Sequence, residues 1–146
     1  MPIQCDVVSV ERIVFSDSAD MVLVPGVEGT LGILPHHAPL MTVLVPGEIT
    51  IRKAGQEDVL VAVGGGFVEV RPDRVTILAD SAERAEEIDI ERAEAARRRA
   101  EERLHAAVPG AADFSQAEMA LHRSLIRIKV AEHRKRKGHR TGPGST

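Results

Sequence analysis

Two histidines, His36 and His37, stand side by side between Pro35 and Pro39. Adjacent imidazoles offer two chemistries: metal ligation through neutral ring nitrogens, or proton transfer near neutral pH. Successive residues of an extended chain point to opposite sides, so this pair is poorly set to share one ion. Neither cysteine nor aspartate stands nearby to complete a ligand set, and no metal is expected. The glycine run Gly64-Gly65-Gly66 is the other stretch with chemical promise. A phosphate cradle needs a helix N-terminus or a Gly-Lys-Ser/Thr after the loop. Here a strand pattern follows and no lysine is near, so the glycines read as a bulge or a close approach of strands. No Ser/His/Asp set or paired carboxylates stand out, and no enzyme is expected.

The elements that must carry these residues fall into two textures. In this 146-residue chain, residues 1–80 carry 11 acids and 5 bases, whereas residues 81–146 carry 11 acids and 14 bases. Two halves of different charge point to two domains with different work. Up to about Ala79, short β-branched runs recur between Gly and Pro. QCDVVSV (4–10), MVLV (21–24), EITIRK (48–53), DVLVAV (58–63), FVEV (67–70) and RVTIL (74–78) read as strands, the last two joined by a Pro72-Asp73 turn. Many short strands with Gly/Pro turns predict an antiparallel β-sandwich. The lone Cys5 excludes an internal disulfide and fits a reducing compartment. The start shows no signal-peptide pattern, and no run of apolar residues is long enough to span a bilayer.

From about Glu87 the period becomes helical. IDIERAEAARRRAEERLHAA consists almost wholly of strong helix formers, with Ala93, Ala96, Ala100, Leu104 and Ala107 on one stripe. Pro109-Gly110 ends this helix. Ser115 and Glu118 form a capping-box pattern for a second helix, with Phe114 and Met119 as its hydrophobic staple. That helix is expected to run to Lys137 and stop at Gly138, leaving 138–146 as a loose tail. A short connection makes the pair an antiparallel hairpin. The expected fold is therefore α+β: a sandwich over residues 1–84 and a two-helix hairpin over 85–137. An alanine stripe buries little, about 0.8 kcal/mol per methyl. High intrinsic propensity would let such helices persist away from their packing partner.

The blocks DVVSVERIVFS (6–16), GVEGTLGILPHHAPLMT (26–42), LVPGEITI (44–51) and GGGFVEVRPDRVTILAD (65–80), followed by an Ala-rich helical hairpin, resemble the epsilon subunit of bacterial F-type ATP synthase. The resemblance covers essentially residues 3–137. It implies a non-catalytic rotor subunit of the central stalk, peripheral on the cytoplasmic face of the bacterial plasma membrane and not inserted in it. Its implied partners are the gamma subunit, the polar loops of the c-ring, and the alpha and beta catalytic subunits. The segment matching the c-ring and gamma contact is Glu28, Gly29, Thr30, Leu31, Gly32 and Ile33, running on to His37. The family often has an acid where Thr30 stands. His37 matches the family's His-Ala-Pro-Leu, as a docking residue or as a satisfied structural histidine, while His36 occupies a variable position.

A second match is to the ATP-sensing motif of some bacterial members, here Ile88-Asp89-Ile90-Glu91-Arg92-Ala93. ATP-binding members add groups at positions matching Glu83, Arg99, Arg123 and Arg127. No cofactor is required, and ATP would be a regulatory ligand. Arg123 and Arg127 share a helix face and, folded against the first helix, could join Arg92 and Arg99 around phosphates. Asp89 would accept from the adenine amino group or cap its helix. The family's extended hairpin contacts acidic segments of the beta subunits and blocks hydrolysis, which the cationic Arg134, Lys135 and Arg136 suit. ATP on the folded hairpin would favour the non-inhibitory state.

The rival reading is a freestanding β-sandwich binding module whose basic helical tail meets anionic partners. Scarce aromatics (three Phe, no Trp or Tyr) and a net charge of −3 argue against nucleic acid as that partner.

Overall fold

The computed structural model describes residues 1–140, with side chains to Lys137. It divides into two compact units, Met1–Arg84 and Ala85–Thr146. The first holds eight strands: β1 (Ile3–Ser9), β2 (Ile13–Ala19), β3 (Met21–Gly26), β4 (Gly29–Ile33), β5 (Leu40–Arg52), β6 (Val59–Val70), β7 (Arg74–Ala79) and β8 (Ala82–Arg84). The second holds a 3-10 turn, Ala85–Glu87, then α1 (Ile90–Ala106) and α2 (Ala112–Arg140).

The strands hydrogen-bond in the order β2-β1-β7-β6-β5-β3-β4, with β8 beside β6. Val14 and Ala19 at one end of this order and Ile33 at the other enter the same buried cluster. A sheet whose two ends share a core has folded over itself, which makes the sandwich. Alternation selects the inward set: Val68 and Val70 on β6, Val75 and Ile77 on β7, Ile3, Cys5 and Val7 on β1. Each buried Ile or Val side chain contributes roughly 1.5–3 kcal/mol.

β5 and β6, 13 and 12 residues long, pair along their whole length and run through both layers. The glycine run lies at their bend. Gly65 and Gly66 have φ of +104° and +140°, and a Cβ on Gly66 would strike the Leu78 carbonyl of β7. The structure thus uses these glycines for close strand approach, in one continuous strand where the sequence suggested two. The first unit closes at Arg84, whose Nε donates to the Val14 carbonyl at 2.8 Å while its guanidinium lies 5.4 Å from the centre of the Phe15 ring.

Several expectations need correction. The sandwich is not wholly antiparallel, because β1 pairs β7 in parallel. The second helix starts at Ala112, before the Ser115–Glu118 capping box. Gly110, at φ +89°, reverses the chain, and the Ala111 carbonyl accepts from the amides of Phe114 and Ser115 at 3.1 and 3.4 Å. Ser115 is therefore already inside the first turn. α2 also continues through Gly138, the expected stop, to Arg140. The rest of the expected tail, 141–146, lies outside the described residues. Among the described residues no helix is long and apolar enough to cross a membrane.

Candidate functional site

Three surfaces collect the residues with chemical promise. The first is the β3–β4 turn. Val27 and Glu28 form a two-residue turn between the paired Gly26 and Gly29. A Cβ at Gly26 would press to 2.9 Å from the Gly29 carbonyl oxygen, which explains the glycine there. Glu28, Gly29, Thr30 and Leu31 line a cleft of about 230 Å³ whose far wall is Leu40 and Thr42 of β5. Gly32 and His37 do not line it, and Ile33 is fully buried in the core. The side chain of Ile33 serves the sandwich, a correction to its place in the docking segment.

The histidines follow on the next loop. His36 sits at φ +67°, a left-handed conformation rare outside glycine, and its amide donates to the Pro72 carbonyl at 2.9 Å. The His37 amide donates to the Leu34 carbonyl at 3.1 Å, so the segment is a turn and not the extended chain expected. Nδ1 of His37 lies 2.8 Å from the Ala38 carbonyl oxygen, which can only accept, so the proton sits on Nδ1. His37 is locally satisfied in this way. Among the described residues no three His, Cys, Asp or Glu side chains group as a metal site.

The second surface was not singled out from the sequence. Val43 of β5 faces Phe67 of β6, which faces Leu78 of β7, which faces Val8 of β1, which faces Ile13 of β2. These residues occupy outward positions, and Phe67, Leu78 and Ile13 are 54%, 56% and 67% exposed. With strands spaced by about 4.8 Å, the row runs roughly 19 Å across the outer face. On β6, β7, β1 and β2 the next outward positions are polar, Glu69, Thr76, Asp6 and Ser16, while β5 places the exposed Met41 there. Asp6 accepts from Ser16 Oγ at 2.6 Å and from Gln4 Nε2 at 3.0 Å. An apolar row with a hydrogen-bonded polar border has the anatomy of a protein-binding face. Its signal in the sequence is apolar residues at outward positions of otherwise alternating strands, as in Phe67-Val68-Glu69-Val70.

The third surface lies within the hairpin. Residues 107–111 join the helices, and the small side chains of Ala96, Ala100, Ala120 and Ser124 floor a groove between them of about 430 Å³. Arg99, Arg123 and Arg127 line it, as their spacing suggested, and Arg103 joins them. Arg103 was not anticipated, because the offset of one helix against the other is not written in either helix alone. None of Glu83, Ile88, Asp89, Arg92 and Ala93 lines the groove. Asp89 caps α1, its carboxylate accepting from the Arg92 amide at 3.1 Å. Ala93 is fully buried and Ile88 nearly so, which gives both side chains packing roles. Arg92 is exposed, and Glu83 belongs to β8, opposite Ala62. At the far end of α2, Arg134 Nε lies 3.9 Å from a Glu86 carboxylate oxygen, and Lys135 and Arg136 are exposed.

Comparison with known proteins places this architecture. The family described as ATP synthase, Delta/Epsilon chain, beta-sandwich domain matches residues 2–85, and the one described as its long alpha-helix domain matches 86–132. An ATP synthase epsilon chain of Dehalococcoides mccartyi is 53% identical over 135 residues, 92% of this chain and 95% of that one. One from Herpetosiphon aurantiacus is 51% identical over 92% of this chain and 98% of its own length. Among solved structures, a chain of the Euglena gracilis mitochondrial ATP synthase (OSCP/F1/c-ring) shares the fold with a TM-score of 0.76. It is 24% identical, over 90% of this chain and 82% of that one. The chain belongs to the ATP synthase delta/epsilon family.

Proposed function

We propose that the chain is a non-catalytic subunit of the central stalk of a bacterial F-type ATP synthase, peripheral on the cytoplasmic face of the plasma membrane. The sandwich couples the gamma subunit to the polar loops of the c-ring. The hairpin restrains ATP hydrolysis when it extends along the catalytic beta subunits, and ATP on the folded hairpin relieves that restraint. The observation that carries the rotor reading is the row Val43–Phe67–Leu78–Val8–Ile13 on a rigid sheet. A joint that transmits torque needs a stiff body with an apolar face for one partner and a separate contact for the other. The row suits gamma, and the β3–β4 turn with its cleft suits the c-ring loops. The ATP reading draws on Arg99, Arg123 and Arg127 around one groove and on family resemblance at Ile88–Ala93.

The rotor reading is tested by sedimentation of the full chain with the gamma subunit. Phe67→Glu should weaken the complex by tenfold or more, since truncating or charging a central apolar anchor costs about 2 kcal/mol or more. Phe67 is exposed, so the substitution leaves the core intact. An unchanged complex would remove the row from the interface.

A further inference from the structure

We propose that the C-terminal end of α2 is an electrostatic contact for an anionic lipid surface, made by Arg134, Lys135, Arg136 and Lys137 without insertion into the bilayer. The proposal deepens the reading of a rotor subunit peripheral on a membrane and rests on that reading for its partner. α2 has 29 residues against 17 in α1. In an antiparallel hairpin it therefore outruns α1, by roughly 18 Å at the rise of an α-helix. Among the described residues the last α2 side chain to be buried is Ala131. The family match ends at residue 132, directly before the basic run. From 133 to 146 the sequence holds five Lys or Arg and no Asp or Glu. Cations complement the helix dipole within the last turn, and this run begins before it. Arg134 and Lys137, three apart on one face, repel each other and cost the helix stability. Arg134 Nε lies 3.9 Å from a Glu86 carboxylate oxygen, while Lys135 and Arg136 are exposed and have no acidic partner among the described residues. Folding does not account for this charge, and a local rule broken without internal compensation marks a functional position.

The arrangement also says which kind of anion fits. Successive residues of a helix step by about 100°, so four consecutive cations ring the axis instead of lining one face. A protein groove or a DNA major groove reads a single helix face, through residues three and four apart. A layer of headgroups asks for no such face, because charged lipids gather around whichever cations approach. Residues 132–146 contain no Leu, Ile, Val, Met, Phe, Trp or Tyr. The contact is therefore confined to headgroups and places no apolar side chain among acyl chains. A fluid surface also suits a subunit that turns, since lipids exchange as the contact moves, where a fixed protein site would hold the rotor back.

The test is co-sedimentation of the full chain with sucrose-loaded vesicles of phosphatidylcholine containing about one third phosphatidylglycerol, beside vesicles of phosphatidylcholine alone. The variants are Lys135→Gln/Arg136→Gln and a control of equal charge, Arg71→Gln/Arg98→Gln, which removes two exposed cations from elsewhere in the chain. Gln keeps high helix propensity, and circular dichroism checks helicity. The wild type should bind the anionic vesicles, ignore the neutral ones, and be released at about 0.5 M salt. Lys135→Gln/Arg136→Gln should bind about tenfold or more weakly, and the control within about twofold of the wild type. Equal loss in both double variants would mean that net charge alone matters, and overturns the site. Undiminished binding by Lys135→Gln/Arg136→Gln, or equal binding to neutral vesicles, overturns it too. Salt-sensitive binding to duplex DNA tighter than to the anionic vesicles overturns the lipid as partner. A chain that binds neither vesicle overturns the proposal, while the rotor reading stands or falls separately on sedimentation with the gamma subunit.

Discussion

Cys5 and Asp6 are neighbours on β1 whose ionisation is pushed in opposite directions by strand alternation. Cys5 points into the core, where burial, helped by the Asp6 charge, pushes its thiol up to about 12. Asp6 points outward, and the hydrogen bond from Ser16 holds its carboxyl below the usual value, with Gln4 and Arg74 adding to the effect. A carboxylate whose folded pKa is depressed adds stability that is complete above its unfolded value, near 3.8, and is lost as pH falls through the lower folded value. Ser16→Ala should raise the Asp6 pKa toward the ordinary value, lower stability at neutral and higher pH, where the depressed carboxylate contributes in full, and move the acid-unfolding midpoint upward. Carbon-detected NMR titration of the Asp6 carboxyl reads the first effect directly, and an unmoved pKa would take Ser16 out of the account. Some residue roles were legible in this way from sequence alone, and others were not. Spacing of four put Arg123 and Arg127 on one face, and Asp89 already read as a possible cap. The alanine stripe already marked Ala93 as facing inward, whereas the burial of Ile33 depends on what packs over it, which no local pattern states.

At the scale of elements, local signals competed and tertiary context decided. Ser115-x-x-Glu118 is a good capping box by type and spacing, yet the chain enters the helix four residues earlier, because Gly110 turns the backbone and Ala111 offers its carbonyl. A serine at a true N-cap is worth about 1 kcal/mol, while one inside the first turn is worth a few tenths. Ser115→Ala should therefore shift the thermal stability of the hairpin by less than about 0.5 kcal/mol, followed by helical ellipticity. A loss of about 1 kcal/mol or more would restore Ser115 as the cap. Strands with clean alternation, such as Arg74–Ala79, were legible from sequence. β2 and β4 were missed because IVFSDSA is half polar and GTLGI is glycine-rich. Each becomes a strand by pairing with β1 or β3, a non-local cause. The exposed apolar row was hidden for the same reason: it exists only in the lateral register of five strands, one pair of them parallel.

At the scale of the whole molecule, the two units are stabilised by different materials. The sandwich core is Ile and Val, with Ile3, Val7, Val22, Val24, Ile33 and Ile49 fully buried. The buried set of the second unit leans on Ala93, Ala100, Ala117 and Ser124, side chains that bury about one methyl or less, with Ile88, Ile128 and Val130 as its larger members. At about 0.8 kcal/mol per methyl against roughly 1.5–3 for Val or Ile, the hairpin has less to lose on opening. Native-state hydrogen exchange should resolve this as two tiers. Amides of β5 and β6 at the sandwich core should exchange only through global unfolding. Those of α1 and α2 should exchange at a free energy lower by several kcal/mol, and ATP should raise the hairpin tier alone. One uniform tier across both units would mean that they open together, and a hairpin tied so closely to the sandwich could not change state while the sandwich held its partners. Two tiers would supply what a regulated rotor subunit needs: a docking body that stays folded and a switch that opens on its own.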